Sequence, residues 1–209
     1  MLRYDKYQKY ICFDFETCNL NLLDLNNKPW QLSYVIAHGN DIVKEVDNYI
    51  YWPDLKMSED AKIITHFDER RYKSLARDPK PILEDFEEII FDKGYLIVGQ
   101  NLLGFDVYIH NIYRKLLGKN TDFSFVERII DTNCIAKAIK KKLQPPKNTD
   151  LIYWQYKLND FREKGLKTSI KSQLKEYDIE FDEDKLHNSM YDVSKNFEIF
   201  KKQIWRIDI

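Results

Sequence analysis

Two carboxylates, Asp14 and Glu16, stand two positions apart at the end of an apolar run near the start of the chain. Residues 10–13 of that run predict a buried strand. Side chains alternate between the faces of a strand, so Asp14 and Glu16 share one face while Phe13 and Phe15 share the other. Neighbouring carboxylates repel, and each resists ionisation unless a cation lies nearby. Hard oxygen ligands of this kind suit Mg²⁺ or Mn²⁺, although an isolated pair is more often simply solvated.

A further acid, Asp106, is predicted to open a helix in the middle of the chain. A short apolar strand at 95–99 is followed by a glycine-containing turn. An acid in the first turn of a helix also complements the helix dipole, so Asp106 taken alone does not indicate a site. The helix itself is predicted from apolar residues at helical spacing, which are Phe105, Ile109, Ile112 and Leu116.

The third acidic segment places His187 five positions before Asp192, at the start of a long predicted final helix. This spacing does not put the two side chains on one helical face. We therefore expect His187 in the loop before the helix, free to point into the same site as Asp192. Ser189 and Asp192 also form an S-x-x-D pair, and a capping box there would give Asp192 a purely structural role.

Taken in this order, the three segments resemble the DEDDh branch of the 3′–5′ exonuclease superfamily, which has the ribonuclease H-like fold. The pattern of that branch is D-x-E on the first strand, a later Asp that opens a helix, and H-x-x-x-x-D at a final helix. The matching positions here are Asp14, Glu16, Asp106, His187 and Asp192. The resemblance covers roughly residues 8–205, with smaller similarities at 30–33, 58–66, 130–132 and 174–179.

This resemblance implies a metal-dependent 3′–5′ exonuclease that hydrolyses single-stranded nucleic acid, with DNA favoured, and releases 5′-mononucleotides. It implies two divalent ions, Mg²⁺ or Mn²⁺, held by Asp14, Glu16, Asp106 and Asp192, with Asp14 contacting both. It also implies that His187 is the general base. The expected partners are 3′ ends of single-stranded DNA or RNA. A similarity to the proofreading subunit of bacterial replicative polymerases leaves a polymerase or other protein partner open, and the oligomeric state as well.

The chain departs from the family pattern at two places where such enzymes hold the terminal nucleotide. The family commonly has Thr-Gly after the first acidic motif, and this chain has Cys18 and Asn19. It commonly has His-Asn before the middle Asp, and this chain has Gln100 and Asn101. We expect these differences to affect sugar and base preference. Thr17, Cys18 and Asn101 are the predicted substrate-binding residues.

Several alternatives stay open at this point. The enzyme could trim RNA 3′ ends, or the chain could be a non-catalytic module that binds a nucleic-acid end or a partner, although no acidic position of the pattern is lost. Among the other histidines, His110 follows Asp106 by one helical turn, where packing is favoured over catalysis. His66 is a candidate to approach the substrate, and His38 is expected to be structural.

Composition limits the class of protein. A chain of 209 residues suits one domain, predicted to span 1–209. The formal net charge of −1 excludes a global basic field that would draw the protein to nucleic acid. No apolar run is long enough for a membrane span, so no membrane partner is expected. The three scattered cysteines do not form a zinc or disulfide pattern, and a cytoplasmic location is predicted.

Alternating strands and helices predict an α/β protein of three layers. A hairpin signal at 39–41, between the second and third strands, predicts that the sheet is mixed. The resemblance implies a central five-stranded sheet flanked by helices. Strands are expected at about 8–16, 30–38, 42–51 and 95–99, with one more ending near 131. Helices are expected from Ser58, from about Pro81, at 105–117, through the lysine-rich stretch to about 143, and at the final motif. Residues 144–148 are predicted to be a loop.

Two segments have competing interpretations. The lysine-rich run is either a solvated helix face or a track for phosphates, with neither favoured. The aromatic and cationic residues at 153–164 could stack bases in a single strand, but packing in the core or at a subunit contact is favoured. The lysine-rich run consists of Lys137, Lys140, Lys141 and Lys142.

Overall fold

The computed structural model describes residues 1–147 and 150–209. They form a five-stranded sheet with the strand order β3-β2-β1-β4-β5. β2 is antiparallel to both of its neighbours, β1 and β3, whereas β1, β4 and β5 run parallel. The predicted mixed sheet is therefore confirmed. Its strands are Lys9–Thr17 (β1), Pro29–His38 (β2), Asp41–Tyr49 (β3), Tyr95–Gly99 (β4) and Ile129–Asp131 (β5).

A tight connection at Gly39 joins β2 to β3, as the hairpin signal predicts. Gly39 has a φ of +57°, and a Cβ atom built there would lie 2.7 Å from the carbonyl oxygen of Lys6. A side chain at this position would be strained both by the left-handed backbone and by the close approach. The turn therefore requires glycine.

Local capping residues account for where several helices begin. Ser58 caps α1 by accepting a hydrogen bond from the Ala61 amide at 3.1 Å. Asp78 caps α3, which starts two residues before the predicted Pro81. Helices α2, α6 and α7 were not predicted from the sequence. The helices are Glu59–Ile64 (α1), Glu69–Leu75 (α2), Pro79–Ile90 (α3), Asp106–Leu116 (α4), Thr132–Lys141 (α5), Leu151–Asp160 (α6), Ile170–Glu176 (α7) and Ser189–Gln203 (α8).

The alternation of β1 assigns each face of the sheet to a different helix layer. Phe13 and Phe15 pack against Phe86 of α3, with ring centroids 5.0 and 5.8 Å apart. On the other face, Tyr10 packs against Phe200 of α8 at 5.2 Å. These aromatic contacts and the apolar residues around them form the main core. The three-layer α/β arrangement follows, with β1 at its centre.

Asp131, at the end of β5, holds together the turn that leads from β4 to α4. Its buried carboxylate accepts hydrogen bonds from the backbone amides of Asn101 and Leu103, both at 3.0 Å. It also caps α5 through the amides of Asn133 and Cys134. Buried carboxylate oxygens need such partners, and here the partners belong to the segment that delivers Asp106.

The lysine-rich run serves the protein's own structure. The Lys137 ammonium is buried and donates to the carbonyl oxygens of Leu158, Asn159 and Phe161 at the end of α6. Lys140 pairs with Glu176, and Lys141 pairs with Glu163 at 2.8 Å. These contacts favour a structural role for the run over a phosphate track.

The aromatic segment forms α6, and its buried face packs into the core. Trp154 and Leu158 are buried, while Tyr153 is exposed. Core packing, the favoured interpretation, therefore holds for the inward face of this helix. In the predicted loop, residues 144–147 form no helix or strand, and residue 148 lies outside the described residues. Among the described residues, no helix is both long and apolar enough to cross a membrane.

Candidate active site

Asp14 and Glu16 lie on the face of β1 that carries α8, opposite the aromatic core of the other face. Asp14 pairs in register with Ser33 of β2, and Glu16 pairs with Gln31. The Ser189 hydroxyl, at the first position of α8, donates to Asp14 Oδ2 at 3.1 Å. The predicted shared face is therefore observed, and it meets the start of the final helix.

Asp106 reaches the same place from the opposite side of β1. It begins α4 and is almost completely buried. Its Oδ1 atom accepts a hydrogen bond from the Phe15 amide at 3.0 Å, between the two acids of β1 in sequence. Burial of this acid against a strand that already carries two carboxylates is costly. A helix-dipole role does not by itself explain that location.

A hydrogen bond from the His187 backbone connects this residue to Asp192. Asp192 lies in the first turn of α8, and its Oδ2 atom accepts a hydrogen bond from the His187 amide at 3.0 Å. His187 is exposed and has a φ of +68°, a conformation that non-glycine residues seldom adopt. The loop before α8 is thus held in a specific shape, with the imidazole outside the helix as predicted.

The structure contradicts the alternative of a capping box formed by Ser189 and Asp192. The N-cap of α8 is Asn188, whose side chain accepts from the Tyr191 amide at 3.2 Å. Ser189 turns toward Asp14 instead. The sequence did not predict this contact between Ser189 and Asp14. Ser189 and Asp192 share one helix face, so a site that contains Asp192 also lies next to Ser189, and this spacing could have indicated the contact.

The carboxyl groups of this cluster resist ionisation. Burial raises the pKa of Asp14 to about 6. Burial, followed by the charge of Asp14, raises the pKa of Asp192 to about 7. The pKa values of Glu16 and Asp106 are raised well above the ordinary range by burial and then by the charge of Asp14. Among the described residues, no Lys or Arg is a cause of these shifts, so the cluster carries uncompensated negative charge when ionised.

Two openings flank this cluster. The larger one, here called the His187 cleft, has a volume of about 700 Å³ and lies between the start of α8 and the segment 65–71. The smaller one, here called the Glu16 pocket, has a volume of about 300 Å³ and is bordered by Glu16, Thr17, Leu20, Ala61, Ile64 and Phe105. Thr65 borders both openings, so they adjoin each other.

The predicted substrate-binding residues do not all reach these openings. Thr17 borders the Glu16 pocket, but its hydroxyl donates to the Asn19 carbonyl at 2.6 Å. The backbone amide of Asn101 donates to Asp131, and Asn101 borders neither opening. Cys18 is buried, its amide donates to the Lys28 carbonyl at 3.1 Å, and its thiol donates to the Asn26 carbonyl. These contacts favour a structural role for Cys18 in its loop, and its predicted substrate contact stays a prediction.

The remaining histidines separate clearly by location. His110 is fully buried and lies 3.2 Å from Glu87 Oε1, which gives it the packing role favoured from the sequence. His66 borders the His187 cleft. His38 is exposed at the end of β2, five residues beyond Ser33, which pairs with Asp14, and therefore remote from the acidic cluster.

Comparison with known families decides the class of this protein. Residues 11–200 match the sequence profile of the RNase T family, which is described as a family of exonucleases. The chain belongs to this exonuclease family. The match spans all five residues of the candidate site, Asp14, Glu16, Asp106, His187 and Asp192. A search among curated proteins finds no significant relative.

Solved structures show that this exonuclease has the ribonuclease H-like fold. It is similar to Escherichia coli exonuclease I in complex with a dT13 oligonucleotide, with a TM-score of 0.73, and in complex with dA16, with a TM-score of 0.74. A zinc-bound complex of E. coli exonuclease I with single-stranded DNA gives 0.72. Identity is 13% in each case, over 95% of this chain. This exonuclease spans 41% of the length of those chains.

The acidic cluster fits the divalent metals that members of the exonuclease family use. Asp192 Oδ1 is buried and has no hydrogen-bond partner among the described residues, so it is available to a cation. Within residues 1–147 and 150–209, no three His, Cys, Asp or Glu side chains already surround one point closely enough to hold a metal. Because Asp14, Asp106 and Asp192 each place one oxygen on a protein donor, we expect their side chains to turn when an ion binds.

We predict that the metal-free exonuclease loses stability as pH rises from about 5 to about 8. The unfolded chain ionises its carboxyls near pH 4, whereas Asp14 and Asp192 ionise at about 6 and about 7 in the folded protein. The folded state therefore binds more protons in this range, and the free energy of unfolding falls as pH rises through those values. Metal ligands must be deprotonated, so the increase in Tm caused by Mg²⁺ or Mn²⁺ should grow over the same range.

Thermal unfolding at pH 5, 6, 7 and 8, in chelator and in each metal, measures both effects. The Asp14→Asn variant is the comparison, because it removes one titrating ligand at nearly constant shape. Its Tm should depend less on pH in chelator and rise less with metal. A metal effect of equal size at pH 5 and pH 8 would contradict the prediction.

Proposed function

We propose that this exonuclease is a metal-dependent 3′–5′ exonuclease that acts on single-stranded nucleic acid, with DNA favoured, and releases 5′-mononucleotides. The observation that carries this proposal is the convergence of Asp14, Glu16, Asp106 and Asp192 from β1, α4 and α8, with pKa values raised and no cation of the described residues to neutralise them. Such a cluster is unfavourable unless it binds cations.

The four carboxylates would hold two divalent ions, Mg²⁺ or Mn²⁺. When bound, such ions activate water and neutralise charge on the phosphate and the leaving oxygen. Asp14 is the central ligand of this proposal, because its charge acts on Glu16, Asp106 and Asp192 alike. Ser189 and the Phe15 amide position Asp14 and Asp106 by hydrogen bonding to one oxygen of each carboxylate.

His187 would take the proton from the attacking water, as the DEDDh pattern implies. Its exposed position at the His187 cleft gives a substrate access to the imidazole. The hydrogen bond from its amide to Asp192 ties the location of the base to the location of a metal ligand. Proton transfer by a positioned imidazole is effective near neutral pH, where histidine changes its charge most readily.

The Glu16 pocket, which Thr17 borders, is the proposed site of the terminal nucleotide. Contacts of Cys18 and Asn101 with the substrate stay predictions. Its volume of about 300 Å³ is sufficient for one nucleobase and sugar but not for several nucleotides. Exonuclease I of E. coli binds the oligonucleotides dT13 and dA16 in its solved complexes, which supports DNA as the substrate. RNA 3′-end trimming is the second candidate. A side-by-side assay of end-labelled single-stranded DNA and RNA with Mg²⁺, Mn²⁺ or chelator distinguishes them.

We predict digestion from the 3′ end and not within a strand. A free terminus can enter the Glu16 pocket, whereas the middle of a strand would have to bring both of its continuing arms past the pocket walls. A circular single-stranded DNA should therefore survive an amount of enzyme that removes its linear form completely. The linear form with a blocked 3′ hydroxyl is the matched control for the terminus. Cleavage of circle and linear strand at comparable rates would contradict exonuclease action.

The single-domain organisation over 1–209, the cytoplasmic location and the absence of a membrane partner stay predictions from the sequence. The same holds for a polymerase or other protein partner.

A further inference from the structure

The His187 cleft extends away from the acidic cluster and is larger than the Glu16 pocket. It begins at Thr65, which both openings share, and continues past His187 along the start of α8. A single nucleotide in the Glu16 pocket would leave this second volume empty. Because the two openings adjoin, a polymer whose end lies in the pocket can continue into the cleft.

Arg71 is the cation on the α2 side of the cleft. Its guanidinium carbon lies 5.5 Å from the centre of the Tyr49 ring, which also borders the cleft. Arg71 is exposed and forms no ion pair with an acid of the described residues. The Arg71 guanidinium also hydrogen-bonds to the Tyr49 side chain, which fixes its position at the wall of the cleft. A guanidinium has five N–H donors, so others stay free. It is therefore available to an anionic ligand in the cleft.

The other charged residues of the cleft restrict how an anion can bind there. Asp68 uses its carboxylate to cap α2, accepting from the amides of Arg70 and Arg71 at 2.8 and 3.0 Å. Glu45 and Asp184 also border the cleft, and Lys185 stands beside Asp184. The cleft is thus not a uniformly basic surface. A phosphate is therefore expected at Arg71 in particular.

We propose that the His187 cleft binds the nucleotides preceding the terminal one in a single strand, and that Arg71 contacts their phosphates. This inference rests on the proposed function. It assigns to Arg71 a role in affinity for strands longer than one nucleotide, separate from hydrolysis. Mononucleotides should bind without using Arg71.

The experiment measures binding of a 5′-fluorescein-labelled dT8 by anisotropy, with Asp14→Asn as the parent protein and chelator present so that the strand stays intact. Arg71→Ala is compared with Arg70→Ala, the matched control. Arg70 is the neighbouring residue on the same helix, is equally exposed, and does not border the cleft. Arg71→Ala should weaken binding of dT8 roughly 10-fold, the usual scale of one charged contact. Its logarithmic salt dependence should become shallower by about 0.7, and binding of dTMP should not change.

Equal affinities for dT8 in the Arg71→Ala and Arg70→Ala variants would overturn the inference. This holds whether both affinities match that of the parent or both are weaker, because Arg71 would then not differ from a neighbouring surface charge. Active wild-type enzyme combined with equal affinities would remove only the role of the cleft. Failure of the wild-type protein with metal to digest any strand would instead remove the proposed function. Weaker hydrolysis of dT8 by Arg71→Ala through a raised KM, with kcat unchanged, would support the inference in the active enzyme.

Discussion

Replacement of Asp14 by alanine is expected to lower kcat by roughly 10³–10⁴-fold or more. Metal ions supply several kcal/mol of charge stabilisation in the transition state, and each 1.36 kcal/mol corresponds to a factor of ten. Asp14 is the residue whose charge acts on all three other acids of the cluster. Its loss should therefore impair both proposed metal sites together. Single-turnover hydrolysis of end-labelled DNA measures the effect.

The same substitution should leave the metal-free fold intact. Asp14 repels Glu16, Asp106 and Asp192 when ionised, so its removal relieves a destabilising interaction. Tm in chelator at pH 8 should stay level or rise, at the expense of one hydrogen bond from Ser189. Asp41→Ala, at an exposed position near the opposite end of the sheet, is the control. Strong activity in purified Asp14→Ala would exclude the metal assignment, and a large loss of Tm would assign Asp14 a structural role instead.

Replacement of His187 by alanine is expected to lower kcat by roughly 10²–10⁴-fold, the usual contribution of positioned proton transfer. Metal binding should change little, because the hydrogen bond to Asp192 comes from the backbone amide and not from the imidazole. The rate of the wild-type enzyme should rise with pH, and the part of this rise that depends on the His187 imidazole should be absent in His187→Ala. A pH–rate profile under single-turnover conditions, with a metal titration by Tm, separates these effects.

The control for this prediction is His38→Ala, which removes an exposed imidazole remote from the acidic cluster. His66→Ala tests the other histidine of the same cleft. A normal rate and an unchanged pH profile in His187→Ala would show that another group is the base. His66 would then be the first candidate, since burial and the contact with Glu87 keep His110 away from any substrate.

Features that depend on neighbours in the chain could be predicted from the sequence. The alternation of β1 puts Asp14 and Glu16 on one face because a strand has a period of two. Helix α1 begins after Ser58 because a serine side chain can satisfy an exposed amide of the first turn. The order of the acidic motifs predicted the exonuclease family, and the hairpin signal at 39–41 predicted the mixed sheet. Each of these conclusions needs only local geometry or a pattern of residues.

Helices α2, α6 and α7 were not predicted because their local sequence patterns are weak. Two of them, α2 and α7, are only seven residues long, and so short a segment shows little helical periodicity. Helix α6 is rich in aromatic residues, which are compatible with several environments. Packing against α5 and the end of the sheet decides its conformation, with Lys137 binding the last carbonyl groups of α6.

Only the tertiary structure decided which side chains meet around the acidic cluster. Ser189 could cap its own helix, but it bonds to Asp14, which lies 175 positions away in the chain. Cys18 was predicted to contact substrate, yet the return of the chain at Lys28 buries it. The sequence by itself determined the types and order of the catalytic candidates, because these follow from the residues present. Their contacts, and the cleft that joins Arg71 to His187, depend on distant segments brought together by burial of the core, which no local pattern encodes.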